Sequence, residues 1–223
     1  MVIDDIPSVF PPNVFLKRLP DRASGFYVDV LETIALSFNI LALQHRLVFA
    51  MRISITLPDW LEPPESNSFF QIFTDIFIQE LCDKGYDPRF VWIRDFPTHP
   101  TLPLPIQYQL LLMTNGAIPQ SADDHIATAV RLLATMLQDS DPTNYFPQLH
   151  KTPIECNWTS YPDGILVDSQ ANGSSQAFAE IFTSVSDLAI RRGRSYKNRP
   201  AGCLEYGRSN LPDSAPILRA LIC

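Results

Sequence analysis

The chain has 223 residues, of which 46% are apolar and 18% charged, a composition that excludes a disordered or fibrous protein and suffices for a core of its own. Seventeen Lys and Arg against 24 Asp and Glu give a net charge of −7, the wrong sign for a protein whose whole surface grips phosphates. The charge is unevenly placed: residues 1–190 hold 10 basic and 22 acidic residues, net −12, whereas residues 191–223 hold 7 and 2, net +5.

Cys82, Cys156, Cys203 and Cys223 are far apart, and no pair has the C-x-x-C spacing that puts two thiolates on one metal. Met1 to Pro12 carries Asp4 and Asp5 where a signal peptide needs a basic start and an apolar run. The most apolar stretch, Val28 to Phe49, is interrupted by Asp29, Glu32, His45 and Arg46, too many polar groups for a membrane span. These features predict a cytoplasmic, non-membrane protein with reduced thiols.

Twenty prolines cut the chain into short blocks. The first 20 residues, with Pro7, Pro11, Pro12 and Pro20, read as a proline-rich N-terminal arm, and 21–223 as a single α+β domain. Val28, Leu31, Ala35, Phe38 and Leu41 share a helical face, which predicts a helix over about 24–43. Arg46 to Leu57, RLVFAMRISITL, alternates and is β-branched, and Pro58 stops it, so it reads as a strand.

Loop 58–65 follows, then Ser66 as an N-cap and a helix over about 67–84 ended by Gly85. Arg89 to Asp95 and Ile106 to Thr114 read as neighbouring antiparallel strands. Ser121 caps a helix at about 122–138, a short strand or pair lies within Pro153–Asp168, and Gln176 to Ile190 reads as a last helix ending at a basic cluster. The order predicts an α+β fold with one antiparallel sheet and helices packed mainly on one face.

The strings QHRLVFAMRISITLP, RFVWIRDFPTHPTLPLPIQYQLLLMTNG and RRGRSYKNRPAGCLEYGRSN, in this order over about 24–210, resemble the inovirus-type replication protein domain found in phage and mobile-element proteins. The resemblance implies a replication-initiator (HUH/RRM-like) ancestry. In that family a His-hydrophobic-His pair on one strand holds a divalent metal that polarises a DNA phosphate, and a helix-borne tyrosine attacks it. At the matching positions this chain has Gln107 and Gln109 around Tyr108, and Asp187 stands where the nucleophile would be. Gln107 and Gln109 are two apart and share a sheet face, but a neutral amide is a poor substitute for imidazole. The resemblance therefore implies vestigial metal-site positions, no catalytic residue, no metal and no cofactor, with Tyr196 or Tyr206 as the displaced nucleophile if one exists.

His45 and His99 read as lone surface histidines, and no metal-ligand spacing links them to His125 or His150. Arg191, Arg192, Arg194, Lys197, Arg199 and Arg208, with Tyr196 interleaved, form a basic segment over 191–208 suited to a nucleic acid or an acidic partner. A helix C-terminus needs fewer cations than this. Trp92 reads as core, whereas Trp60 and Leu61 in a proline-rich loop suit a protein interface.

The function expected is that of a non-catalytic phage or mobile-element protein that binds and inhibits a host nucleoprotein machine, as anti-CRISPR proteins do. The alternatives are an HUH-type replication endonuclease or a single-stranded-DNA-binding replication protein.

Overall fold

The structure is a computed structural model that describes residues 28–57, 66–95, 106–140, 155–158, 164–171, 177–178, 181–182 and 206–209. In chain order its elements are α1 (Val28–Gln44), β1 (Leu47–Leu57), α2 (Ser68–Asp83), β2 (Arg89–Asp95), β3 (Ile106–Asn115), α3 (Ala122–Ser140), β4 (Glu155–Trp158), β5 (Ile165–Asp168) and β6 (Tyr206–Arg208). The N-terminal arm, Trp60, Leu61, Asp187, His99, His150 and the basic residues from Arg191 to Arg199 lie outside the described residues.

Local signals set the element ends. At α3 the Ser121 hydroxyl accepts the Asp124 N–H at 3.1 Å while the Asp124 carboxylate accepts the Ser121 N–H at 3.1 Å, a reciprocal capping box that satisfies two otherwise orphaned donors. At α2 the N-cap is Asn67, one residue later than the Ser66 expected from the sequence. Ser66 still serves the helix start, its hydroxyl accepting the Ser68 N–H at 3.0 Å, while the Asn67 side chain is engaged elsewhere. Gly85, at φ 81°, turns the chain out of α2, a conformation that costs a glycine nothing.

Six strands occupy five positions in the order β4-β1-β3-β2-β6, with β5 sharing the β4 edge of β1, and every pairing is antiparallel. From β1 to β4 the chain runs β-α-β-β-α-β with strand order 4-1-3-2, the split β-α-β arrangement. The fold is α+β, as the sequence predicts, and the segment Pro153–Asp168 supplies two strands.

Two of the three helices lie on one face of the sheet, and the third covers the other. Helices α2 and α3 bury Phe70, Phe73, Phe77, Leu81, Ala129 and Leu133 against Phe49, Met51, Ile53, Leu110 and Leu112. Helix α1 covers the opposite face, packing Leu31, Ile34, Phe38 and Leu41 on Val48, Ala50, Val91, Leu111 and Met113, together with Phe178, Ile181 and Phe182. The physical reason lies in β3: Leu110 to Met113 is four consecutive apolar residues, all buried, so both faces of the central strand need a cover.

β6 is an element the sequence did not announce. Three residues centred on a glycine show no alternation, and the strand exists because Val91, Trp92 and Ile93 pair with Arg208, Gly207 and Tyr206. No helix among the described residues is long and apolar enough to cross a membrane.

Candidate functional site

Directly opposed residues of an antiparallel pair share a face, so the register reads out rows of side chains across the sheet. On the face covered by α1, one row runs Arg52, Leu111, Val91, Arg208; the next runs Ser54, Gln109, Ile93, Tyr206; the next pairs Thr56 with Gln107. The first strand residues, Val48 and Ala50, lie under α1 in the apolar cluster, but β1 then turns polar on this face, with Arg52, Ser54 and Thr56 alternating against buried Ile53 and Ile55. The α1 face thus has an apolar half and a polar half.

Gln107 and Gln109 sit in the polar half and are not equivalent. Gln107 is exposed, whereas Gln109 is buried. The Gln109 Oε1 accepts a hydrogen bond from Arg52 Nε at 3.2 Å, and its Nε2 donates to Ser54 Oγ at 3.0 Å. Both ends of the buried amide are therefore engaged, as burial of a polar group requires. The guanidinium also fixes a positive charge beside Gln109, which opposes a divalent cation at that position.

Tyr108, between the two glutamines, points to the other face by the two-residue period of a strand and is fully buried. Its ring stacks on Phe70 with centroids 3.7 Å apart, and its hydroxyl donates to Asn67 Oδ1 at 2.9 Å. Buried Arg94 donates to the same oxygen at 2.8 Å and to the Ser66 carbonyl. This network ties the start of α2 to β2 and β3 and keeps Tyr108 away from the polar half-face.

Of the basic segment, Arg208 is described. It is exposed as a residue, but its Nη1 donates to the buried Thr33 Oγ1 at 2.8 Å, so this cation bridges β6 to α1. Tyr206 is half-buried and packs on the α1-side cluster. It occupies the same row as Gln109 and Ser54, two interstrand spacings from Gln109, or roughly 10 Å between backbones.

The histidines have structural partners. His45 is bonded to Asp87 at 2.9 Å with its side chain 23% exposed, so it is a half-buried, paired residue and not the lone surface histidine expected. His125 is buried; its Nε2 contacts Gln120 Oε1 at 2.7 Å, an oxygen that also accepts from Thr114. Since Gln120 Oε1 only accepts, the His125 proton resides on Nε2. Burial pushes the His125 pKa down to about 4, which keeps the ring neutral near pH 7. Among the described residues no three His, Cys, Asp or Glu side chains converge as a metal site.

Sequence reasoning missed Arg52, Ser54 and Thr56 as site residues. The signal was present in RISIT, where polar residues alternate with isoleucine, but alternation alone says only that one sheet face is apolar.

Comparison of the chain with protein-family models, curated proteins and solved structures found no match in any of the three.

Proposed function

We propose that the chain is a non-catalytic binding protein, of phage or mobile-element origin and replication-initiator-like descent, that acts in the cytoplasm by engaging and inhibiting a host nucleoprotein complex. The observation that carries this reading is the state of Gln109. At the position where the resemblance implies a metal-holding imidazole, the side chain is a buried amide closed between Arg52 and Ser54. An amide spent in this way supplies no ligand, and the adjacent guanidinium replaces by a fixed charge the cation that phosphodiester cleavage would use.

The basic segment supports a binding role. Phe182 is buried against the α1-side cluster, Tyr206 is fixed on the β2 edge, and the 23 residues between them carry Arg191, Arg192, Arg194, Lys197 and Arg199. Only six residues lie between Arg199 and Tyr206 in the sequence, so the run of charges leads directly into β6.

The second reading, a replication endonuclease with a relocated nucleophile, is favoured by one observation: Tyr206 shares the row of Gln109 and Ser54. The test between complex formation and plain DNA binding is affinity capture from a lysate of the source cells, with and without nuclease, together with a labelled single-strand binding assay on the same preparation. Nuclease-resistant recovery of a defined protein complex supports the proposal. Salt-sensitive binding of single-stranded DNA with no protein partner overturns it.

A further inference from the structure

Helix α2 contains no Lys or Arg in its 16 residues. Phe70, Phe73, Thr74, Phe77 and Leu81 bury its inner face. On the outer side Ile72 and Ile76 are 54% and 41% exposed, one turn apart. The same stripe continues through Gln79 to Asp83 at positions i, i+4, i+7 and i+11, and the exposed Asp75 flanks it. Gln79 Nε2 donates to Asp83 Oδ1 at 2.8 Å, which holds that carboxylate on the stripe.

Two cations beside α2, among the described residues, are already paired. Lys84 Nζ lies 2.9 Å from Glu80 Oε1, and Arg131 of α3 pairs with the other oxygen of the same carboxylate. Two cations on one carboxylate hold Glu80 below the usual carboxylate range. Lys84 and Arg131 thus face Glu80, and the stripe itself offers two branched apolar side chains with Asp75 beside them and Asp83 two turns further along. Exposed isoleucine is a poor choice for a helix surface on both counts that matter: it lowers helix propensity and wets apolar area.

We propose that the outer stripe of α2, centred on Ile72 and Ile76 and flanked by Asp75 and Asp83, docks a basic protein surface that contains an apolar groove. Surfaces of this chemistry hold nucleic acid by their cations, and an acidic, apolar helix face competes for them. Ile72 and Ile76 enter the groove as i, i+4 anchors, and the carboxylates meet the cations at its rim. The inference rests on the reading of the chain as an inhibitor of a nucleoprotein complex and names the surface through which it binds.

The experiment splits a nuclease-treated lysate of the source cells on phosphocellulose into retained (basic) and flow-through fractions and offers each to the immobilised full chain. Four chains are compared: the native one, Ile72→Ser with Ile76→Ser, Asp75→Lys with Asp83→Lys, and Arg191→Ala with Arg192→Ala. All four are checked for an unchanged circular dichroism spectrum and thermal midpoint, and the exposed α2 changes are expected to leave the fold intact. The proposal predicts a protein captured from the retained fraction, with recovery at least tenfold lower for both α2 variants. Capture that survives both α2 changes and is lost with the arginines overturns this surface while leaving the inhibitor reading standing. Capture from the flow-through fraction alone overturns the basic partner, and no capture by the native chain overturns both.

Discussion

Gly207 stands opposite Trp92 in the β6–β2 pair, and the indole of Trp92 occupies the space that a Cβ on Gly207 would need. Only glycine lets the short strand close over the ring. The same strand end is fixed by the Ser209 N–H on the Phe90 carbonyl at 3.0 Å and by Arg208 on Thr33, so β6 is a clasp at the end of the basic segment.

Gly207→Val is expected to part β6 from β2. Trp92 is 2% exposed in the native chain, and its fluorescence should shift to the red as the edge opens. Overpacking of this kind costs about 1–3 kcal/mol. Hydrogen exchange at Ser209 should accelerate while the α2–α3 face stays protected; native protection at Ser209 in the variant would contradict the clasp.

The two glutamines should respond unequally. Gln109→Leu removes the acceptor of Arg52 and the donor to Ser54 inside the sheet, with an expected loss of about 1–3 kcal/mol. Gln107→Leu changes an exposed side chain and should stay within about 0.5 kcal/mol. Urea denaturation of both variants checks the difference, and equal losses would mean that the Gln109 bridge is not made.

Asn67 Oδ1 accepts from both Arg94 and Tyr108 in the interior. Asn67→Ala should cost about 2–3 kcal/mol, because it withdraws an acceptor from a buried charge and a buried hydroxyl at once. Asn67→Asp, which keeps the acceptor and adds a charge partner for Arg94, should restore most of it. Thermal unfolding of the pair measures this; a neutral Asn67→Ala would show that the oxygen is dispensable.

His125 makes stability depend on pH. Its folded pKa, about 4, lies below the unfolded value of 6.5, so the unfolded chain takes up the proton first as pH falls. The contribution is fully present above pH 6.5, declines between 6.5 and about 4, and amounts to as much as about 3 kcal/mol. The exposed ion pairs around Glu80 and Asp168 act at lower pH through carboxylate protonation. His125→Gln should flatten the decline in the 4–6.5 window, as measured by urea midpoints at stepped pH; an unchanged slope would place the ring in contact with water.

The local code was legible where one residue or one period decides the structure. Strand Arg89–Asp95 and the caps at Ser121 and Gly85 follow from alternation, hydroxyl chemistry and the left-handed freedom of glycine. The face covered by α1 was not legible from α1 itself, since Leu31, Ile34, Phe38 and Leu41 say only that some surface is buried. The clue was the two-sided apolar run Leu110–Met113. β6 was illegible because its warrant is a cross-strand partner, Trp92, more than a hundred residues earlier. In the candidate site, the positions of Gln107 and Gln109 followed from their spacing, but the closing of Gln109 by Arg52 and Ser54 depended on a register that no local pattern encodes.

The central claim, that this chain binds and does not cleave, is tested most directly by incubating the purified chain with a labelled single-stranded oligonucleotide and Mg2+ or Mn2+, then looking for nicked product and a protein–DNA adduct. The account predicts neither, for the native chain and for Tyr196→Phe and Tyr206→Phe alike. Metal-dependent nicking abolished by Tyr206→Phe or Tyr196→Phe would contradict it and make the chain a replication endonuclease.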